Sequence, residues 1–249
     1  MYNPYSLEGK SILVAGASSG IGRQVAIDCS KLGAKVHIVA RSEEKLEETF
    51  SLMEGEGHQM HQCDITIEEE LDRLVAELPA LDGFSNCVGV TMVMFVKFLN
   101  KKSLDEIIVA NALAPILLTQ KLVRKKKFNN PASIVYTSSL SGVYTVHYGD
   151  ALNATSKGAL NGFAKSAALD LAAQGIRVNC VNPGVVETEA AFSGTFLTEE
   201  EMKEKQQYFP LKRFGKPEDI ALAIIFLLSD ASTWITGVNI PIDGGYTLL

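Results

Sequence analysis

The chain has 249 residues, of which 47% are hydrophobic and 21% charged, and this composition favours a globular protein over a disordered one. A net charge of −6 argues against a general affinity for nucleic acid. The N-terminal segment MYNPYSLEGK lacks an apolar signal region, and the longest uninterrupted apolar run, 221–228, is shorter than the ~20 residues of a membrane span. We therefore expect a cytoplasmic protein with no nucleic-acid or membrane partner.

Short apolar runs that favour strands alternate along the chain with segments of helical periodicity. The runs are often apolar at successive positions, which is typical of parallel strands covered on both faces. The first helical segment places Ile21, Val25, Cys29 and Leu32 at helical spacing. The predicted strands are 11–15, 35–40, 59–63, 82–87, 133–138, 176–181 and 238–242. The alternation predicts an α/β fold in one domain, 1–249, with a single Rossmann-type, doubly wound parallel sheet of about seven strands and helices on both faces.

The least regular region, 184–216, lies between the sixth predicted strand and the last predicted helix. Insertions of this length within a compact domain usually serve a function, such as covering an active site. We therefore expect a lid around 187–213.

A glycine-rich turn, VAGASSGIGRQVA, follows the first strand and opens the first helix. Glycine allows the backbone to turn tightly and to approach a ligand closely, and the helix N-terminus offers free N–H groups to a pyrophosphate. Because this turn joins a predicted strand to a predicted helix, it indicates a dinucleotide site. The residues that we predict to contact the dinucleotide here are Gly16, Ser18, Ser19, Gly20, Ile21 and Gly22.

The Gly-x-x-x-Gly-x-Gly spacing of this turn resembles that of the short-chain dehydrogenase/reductase family, and the resemblance covers nearly all of the chain. The other motifs that carry it are CDIT after the third strand, NCVG at 86–89, TSS at 137–139, NPGVVET at 182–188 and DGG at 243–245. The subgroup that the chain most resembles comprises the 3-oxoacyl-carrier-protein reductases and related bacterial oxidoreductases. The resemblance implies hydride transfer between a nicotinamide cofactor and a carbonyl or alcohol substrate. It adds the following residues to the cofactor site: Asp64, Ile65, Asn86, Gly89, Lys157, Pro183, Gly184, Val186 and Thr188.

The end of the second strand bears on which dinucleotide is bound. An acidic residue there would bind the ribose hydroxyls of NAD and repel the 2′-phosphate of NADP. The chain instead has Ala40, Arg41 and Ser42, and the guanidinium of Arg41 can pair with a phosphate. We therefore predict NADP. NAD stays possible, because Ser19 stands where many NADP-binding relatives carry a cation.

The catalytic positions that the resemblance implies are Asn111, Ser139, Asn153 and Lys157. In the family, a tyrosine at position 153 protonates the developing alkoxide, the lysine lowers the pKa of that tyrosine, and the serine binds the substrate oxygen. An asparagine amide can bind a substrate oxygen but cannot donate a proton near neutral pH. We therefore predict an oxidoreductase whose proton transfer is impaired, either by engineering or by natural loss.

Two alternatives remain open at the catalytic position. A shifted loop could bring Tyr148 inward as the acid, although it lies nine residues from Lys157 and cannot share its helical face by register alone. The chain could instead be a non-catalytic nucleotide-binding pseudoenzyme that acts as a sensor or an oligomer partner.

Pro115 lies four residues after Asn111 and has no backbone N–H, so the Asn111 carbonyl cannot receive its normal helical hydrogen bond. That carbonyl could bind a water of a proton relay, or the proline could simply kink the helix. Both interpretations stay open.

The sequence indicates only the broad class of substrate and of binding partner. The apolar segments GVTMVMFVKF and AAFSGTFL hint at a hydrophobic or acyl-type carbonyl or alcohol substrate, although core packing explains them equally well. The family resemblance implies a homotetramer or a homodimer. His58 and His61 have no third ligand in view, so we predict no metal site. The four cysteines are scattered singly and are expected to be small core residues.

Overall fold

A single sheet of seven parallel strands organises the computed structural model, which describes residues 2–189 and 198–249. The strand order is β3-β2-β1-β4-β5-β6-β7. The strands are β1 Ser11–Ala15, β2 Lys35–Ala40, β3 Gln59–Gln62, β4 Leu81–Asn86, β5 Phe128–Thr137, β6 Ile176–Pro183 and β7 Asn239–Ile242. The helices are α1 Gly20–Lys31, α2 Glu43–Ser51, α3 Glu68–Glu77, α4 Lys101–Ile108, α5 Ala114–Arg124, α6 Ala151–Leu171, α7 Glu199–Gln206 and α8 Pro217–Leu228.

The sheet is buried on both faces because successive strand residues point to opposite layers. In β1, Leu13 and Ala15 join a core cluster with apolar side chains of α3, α5 and α6. Ile12 and Val14 join the second cluster, with side chains of α1 and α8. The prediction of a doubly wound parallel sheet with helices on both faces is confirmed.

Two elements differ from the sequence-based expectations. Strand β5 begins at Phe128 rather than at 133, because Phe128 pairs with Leu81 across a register shift that leaves residues 129–132 unpaired with β4. The insertion contains helix α7, which begins with a capping box between Thr198 and Glu201. Residues 190–197 of the expected lid lie outside the described residues.

The helical stretch Lys101–Arg124 is long and apolar enough to cross a membrane by length and composition alone. It combines α4, a π-helical turn at Val109–Leu113 and α5. Its side chains Ala114, Leu118 and Leu122 pack in the core against the sheet, so we interpret it as a core helix.

The direction of winding reverses between β1 and β4. These neighbours pair in parallel, β2 and β3 extend the sheet on one side, and β5 to β7 extend it on the other. The loops that leave the carboxyl ends of β1 and β4 therefore diverge and open a crevice, which is the usual ligand position in doubly wound sheets.

Candidate functional site

A cleft of about 610 Å³ occupies this crevice. It brings together most of the residues expected to contact a dinucleotide, namely Gly16, Ser18, Ser19, Gly20, Ile21, Gly22, Arg41, Asp64, Ile65, Gly89 and Thr188. Asn86 and Lys157 do not line it, and neither do Pro183, Gly184 and Val186, which lie at and just beyond the end of β6. Cys87, expected in the core, lines the cleft at half burial.

The glycine turn is packed too tightly for side chains at its key positions. Gly16 has a φ of +81°, and a Cβ on Gly22 would lie 2.1 Å from the Gly16 carbonyl oxygen. At the start of α1, the N-cap residue Ser19 forms no side-chain cap, and the first turn has no acidic residue. The first amides of α1 are therefore uncapped by side chains and suit an anionic group such as a pyrophosphate.

Two cationic side chains of the cleft, Arg41 and Lys45, come from the segment before α2 and from α2 itself. Arg41 is exposed and forms no ion pair with any residue that the structure describes. Lys45 also lines the cleft, and its ammonium lies 3.1 Å from the Glu189 carboxylate. The sequence analysis missed Lys45, although its position four residues after Arg41 was a usable signal. Ser42 caps α2 by accepting from the Lys45 amide.

Asp64 lies opposite, at the end of β3, and its carboxylate is partly engaged within its own loop. One oxygen accepts from the backbone N–H and from the hydroxyl of Thr66, at 3.0 and 2.7 Å. Asn86 is fully buried at the end of β4, and neither polar atom of its side chain has a partner among the described residues. The uncapped helix, the glycine cradle and the free guanidinium together fit an anionic dinucleotide.

Asn111 clamps the loop that follows β4. Its Oδ1 accepts from the Val90 amide at 2.7 Å, and its Nδ2 donates to the Val90 carbonyl at 2.9 Å and to the Ser156 hydroxyl at 3.0 Å. The π-helical turn carries Asn111 towards α6, where Ser156 lies. Asn111 therefore fixes the backbone next to Gly89 at the cleft.

Lys157 reaches from α6 towards Gly89, which lines the cleft. Its Nζ donates to the Thr137 carbonyl at 2.9 Å, and a Cβ on Gly89 would lie 3.1 Å from it. Because Lys157 is only 7% exposed, burial lowers its pKa to about 8. The ammonium is thus held close to where a cofactor in the cleft would lie, and it can release its proton near neutral pH.

Asn153 lies one helical turn before Lys157 and is 9% exposed. Its side-chain amide forms no hydrogen bond with any other described residue, whereas its backbone carbonyl oxygen accepts from the Ser156 hydroxyl. Ser139 follows β5, where its hydroxyl accepts from the Ser141 amide at 3.1 Å. An unpaired amide and a serine hydroxyl are thus available for a substrate oxygen.

The structure does not bring another tyrosine to this position. Tyr148 is 94% exposed and lies outside the cleft. The hydroxyl of Tyr144 donates to the carbonyl oxygen of Asn239 at 2.7 Å. In this conformation Tyr148 therefore cannot serve as the acid beside Lys157.

A buried polar network behind Ser139 was missed from the sequence. Asn161 donates to the Ser138 hydroxyl at 2.6 Å, and Asn182 donates to the Ser139 carbonyl at 2.6 Å and to the Asn161 amide oxygen at 3.2 Å. A polar residue four positions after Lys157 on the buried face of α6 was the available signal. The network ties α6 to the ends of β5 and β6.

The histidines have structural partners. His58 accepts from the Val36 amide at 3.1 Å, and His61 lies 3.5 Å from Glu77. Within residues 2–189 and 198–249, no three His, Cys, Asp or Glu side chains converge on a potential metal position.

Comparison with known proteins gives consistent matches over almost the whole chain. The family model described as "Enoyl-(Acyl carrier protein) reductase" matches residues 16–247. A 3-oxoacyl-(acyl-carrier-protein) reductase of Rickettsia felis is 32% identical over 243 residues, which are 98% of this chain and 99% of the relative. A tropinone reductase homologue of Arabidopsis thaliana is 35% identical over 254 residues, covering 98% and 95% of the two chains. The crystal structure of a putative short-chain alcohol dehydrogenase from Sinorhizobium meliloti superimposes with a TM-score of 0.89 at 30% identity, covering 99% of each chain.

Proposed function

Because the chain belongs to the short-chain dehydrogenase/reductase family, we propose that it binds NADP(H) in the cleft and transfers a hydride between the nicotinamide and a small carbonyl or alcohol substrate. One observation carries this proposal. The uncapped, glycine-rich start of α1 lines the cleft, and the ammonium of the buried Lys157 lies close to Gly89 of the same cleft. A relative named for 3-oxoacyl reduction supports an acyl-type substrate as one class to test.

The preference for NADP over NAD rests on charge. Arg41 and Lys45 both line the cleft, and the two residues that directly follow β2, Arg41 and Ser42, are not acidic. A 2′-phosphate placed there would gain charge-assisted hydrogen bonds, most of all from the planar Arg41 guanidinium. NAD would lose those contacts but would keep the uncapped amides of α1.

The bound nicotinamide supplies or accepts the hydride. On this proposal the Ser139 hydroxyl and the Asn153 amide hold the substrate oxygen, and Lys157 orients the cofactor ribose. Asn111 keeps the Val90 backbone in place beside the reacting groups. No acid stands at position 153, so a proton reaches the alkoxide only from the Lys157 ammonium or from solvent, and reduction is slow.

Isotope transfer tests this proposal directly. The protein is incubated with 4-deuterated NADPH and a panel of ketones and acyl-thioester analogues, and the alcohol products are examined by mass spectrometry. Deuterium at the carbinol carbon supports the proposal. Absence of nucleotide binding in a fluorescence titration, together with unlabelled or missing product, contradicts it.

A second function, nucleotide binding without catalysis, is favoured by one specific observation. The buried amide of Asn153 has no dissociable proton near neutral pH, and Tyr148 lies outside the cleft. A pseudoenzyme of this kind would bind NADPH tightly and would not turn over the substrate panel even as the Asn153→Tyr variant.

We also propose that the protein is a cytoplasmic homotetramer or homodimer. Exposed apolar side chains on α5 and α6, such as Leu117 and Leu169, support an interface between copies of the chain. Light scattering coupled to size-exclusion chromatography tests the assembly, and a monomer at micromolar concentration would contradict it.

A further inference from the structure

The carboxylate of Glu189 joins two parts of the molecule that lie on opposite sides of the crevice. Its Oε2 lies 3.1 Å from the ammonium of Lys45 on α2. Helix α2 follows β2, whereas Glu189 follows β6, and these two strands lie on opposite sides of β1 and β4 in the sheet. Lys45 itself lines the cleft. The ion pair therefore spans the crevice in which a dinucleotide would lie.

The backbone next to Glu189 is held in place. Two residues earlier, the Glu187 amide donates to the Gly215 carbonyl at 2.8 Å. Thr188 packs against the glycine turn, because a Cβ on Gly20 would lie 3.0 Å from the Cγ2 of Thr188. The segment that carries Glu189 is therefore fixed beside the start of α1, where the pyrophosphate is expected.

The three cations of this region differ in how they are engaged. Arg23 lies 2.7 Å from the Glu48 carboxylate, and this pair ties α1 to α2 outside the lining of the cleft. Arg41 lines the cleft and forms no ion pair with any residue that the structure describes. Lys45 lines the cleft and is paired with Glu189. A phosphate at this end of the cleft would meet one free cation and one cation that already has an anionic partner.

The Lys45–Glu189 pair is weak enough to be exchanged. Its side chains are 47% and 78% exposed, and ion pairs in such positions contribute little to stability. Glu43 and Glu44, in the first turn of α2, do not line the cleft and form no ion pair with Lys45. A phosphate monoester carries a charge of about −1.5 to −2 near pH 7 and three acceptor oxygens. It therefore attracts an ammonium more strongly than a single carboxylate does.

We propose that Glu189 determines how strongly the cleft prefers NADP(H) over NAD(H), because its carboxylate competes with the 2′-phosphate for the Lys45 ammonium. With NAD(H) bound, the ion pair between Lys45 and Glu189 stays intact. With NADP(H) bound, Lys45 pairs with the phosphate, and Glu189 loses its partner. The exchange lowers the affinity for NADP(H) alone. This inference rests on the proposed function for the binding of a dinucleotide in the cleft, and it adds a residue that opposes the selection of NADP(H).

The test measures the dissociation constants of NADPH and NADH by nicotinamide fluorescence at low salt, for the wild-type chain and for Glu189→Gln. The glutamine keeps the size of the side chain and removes its charge. NADPH should bind at least about threefold more tightly to Glu189→Gln, the scale of one exposed ion pair. The affinity for NADH should stay within about 1.5-fold, which also shows that the cleft of the variant is correctly folded.

The same substitution in a Lys45→Gln background separates competition from simple repulsion between charges. Without the ammonium there is nothing to compete for, so Glu189→Gln should then change the affinity for NADPH by less than about 1.5-fold. A gain of the full size in this background would mean that Glu189 acts on the phosphate only through space, and it would overturn the proposed exchange.

Glu47→Gln is the matched control for net charge. Glu47 lies on α2 two residues after Lys45, in a separate groove with Phe50 and Met60 outside the cleft. Its substitution should leave the ratio of the two dissociation constants unchanged. A gain below threefold for Glu189→Gln, equal gains for both nucleotides, or the same gain for Glu47→Gln overturns the inference while leaving the proposed function standing. Failure of every chain to bind either nucleotide would contradict the proposed function and the inference together.

Discussion

Replacing Asn153 with tyrosine should raise the carbonyl-reducing activity by at least ~10²-fold, the lower range for a positioned general acid. The new phenol would lie one helical turn from Lys157, at a position that is 9% exposed. The ammonium would favour the phenolate and lower the tyrosine pKa from its usual value of about 10. We take the lower range because Lys157 already donates to the Thr137 carbonyl, so its ammonium is shared. A 10²-fold gain corresponds to about 3 kcal/mol of transition-state stabilisation.

The assay is NADPH oxidation with the same ketone and thioester panel, run for the wild-type chain and for Asn153→Tyr. Tyr148→Phe serves as the matched control, and it should leave both activities unchanged because the Tyr148 ring is 94% exposed. The reasoning is refuted if the two chains turn over equally fast and Tyr148→Phe abolishes the activity of the wild-type chain. In that case the loop rearranges on substrate binding and Tyr148 supplies the proton.

Three other perturbations test separate parts of the structure. Arg41→Asp should weaken NADPH binding at least tenfold and NADH binding little, since a carboxylate would face the 2′-phosphate; equal losses in fluorescence titrations would remove Arg41 from the discrimination. Burial lowers the pKa of His37 from 6.5 to about 4, so between these pH values the unfolded chain binds a proton that the native chain does not. The free energy of unfolding in urea should therefore fall by no more than about 3 kcal/mol as the pH falls from 6.5 to 4. His37→Gln should reduce this pH dependence, and an unchanged pH dependence would assign it to other groups. Asn161→Leu should destabilise the fold by about 1–3 kcal/mol because Ser138 and Asn182 would each lose a buried hydrogen bond, and a change below about 0.5 kcal/mol would show that the network relaxes.

The sequence predicts the sheet well because parallel strands buried on both faces leave a strong signal. The runs around β1 and β2 are apolar at nearly every position, and both strands appear with the expected bounds. The start of strand β5 is harder to predict, because Asn129, Asn130 and Pro131 indicate a loop. In the structure, Phe128 before them still pairs with β4. Pairing with a neighbouring strand is a tertiary effect that local propensity does not contain.

The sequence predicts those residues of the candidate site that lie at fixed positions of a motif. It does not predict the contacts that depend on how the chain folds in three dimensions. Gly16, Gly22 and Arg41 line the same cleft, as their strand–turn–helix context indicated. The double hydrogen bond from Asn111 to the Val90 backbone depends on how a loop folds over a helix.

The π-helical turn at Val109–Leu113 has a consequence for how the chain length can change during evolution. A π-helical turn is an α-helix with one residue inserted. Removing one residue there would restore regular α-helical spacing. It would also rotate the preceding helix, α4, by about 100° relative to α5. Asn111 would then no longer face both Val90 and Ser156. Homologous chains that keep this clamp should therefore show neither deletions nor insertions between α4 and α5, even where their surface loops vary freely in length.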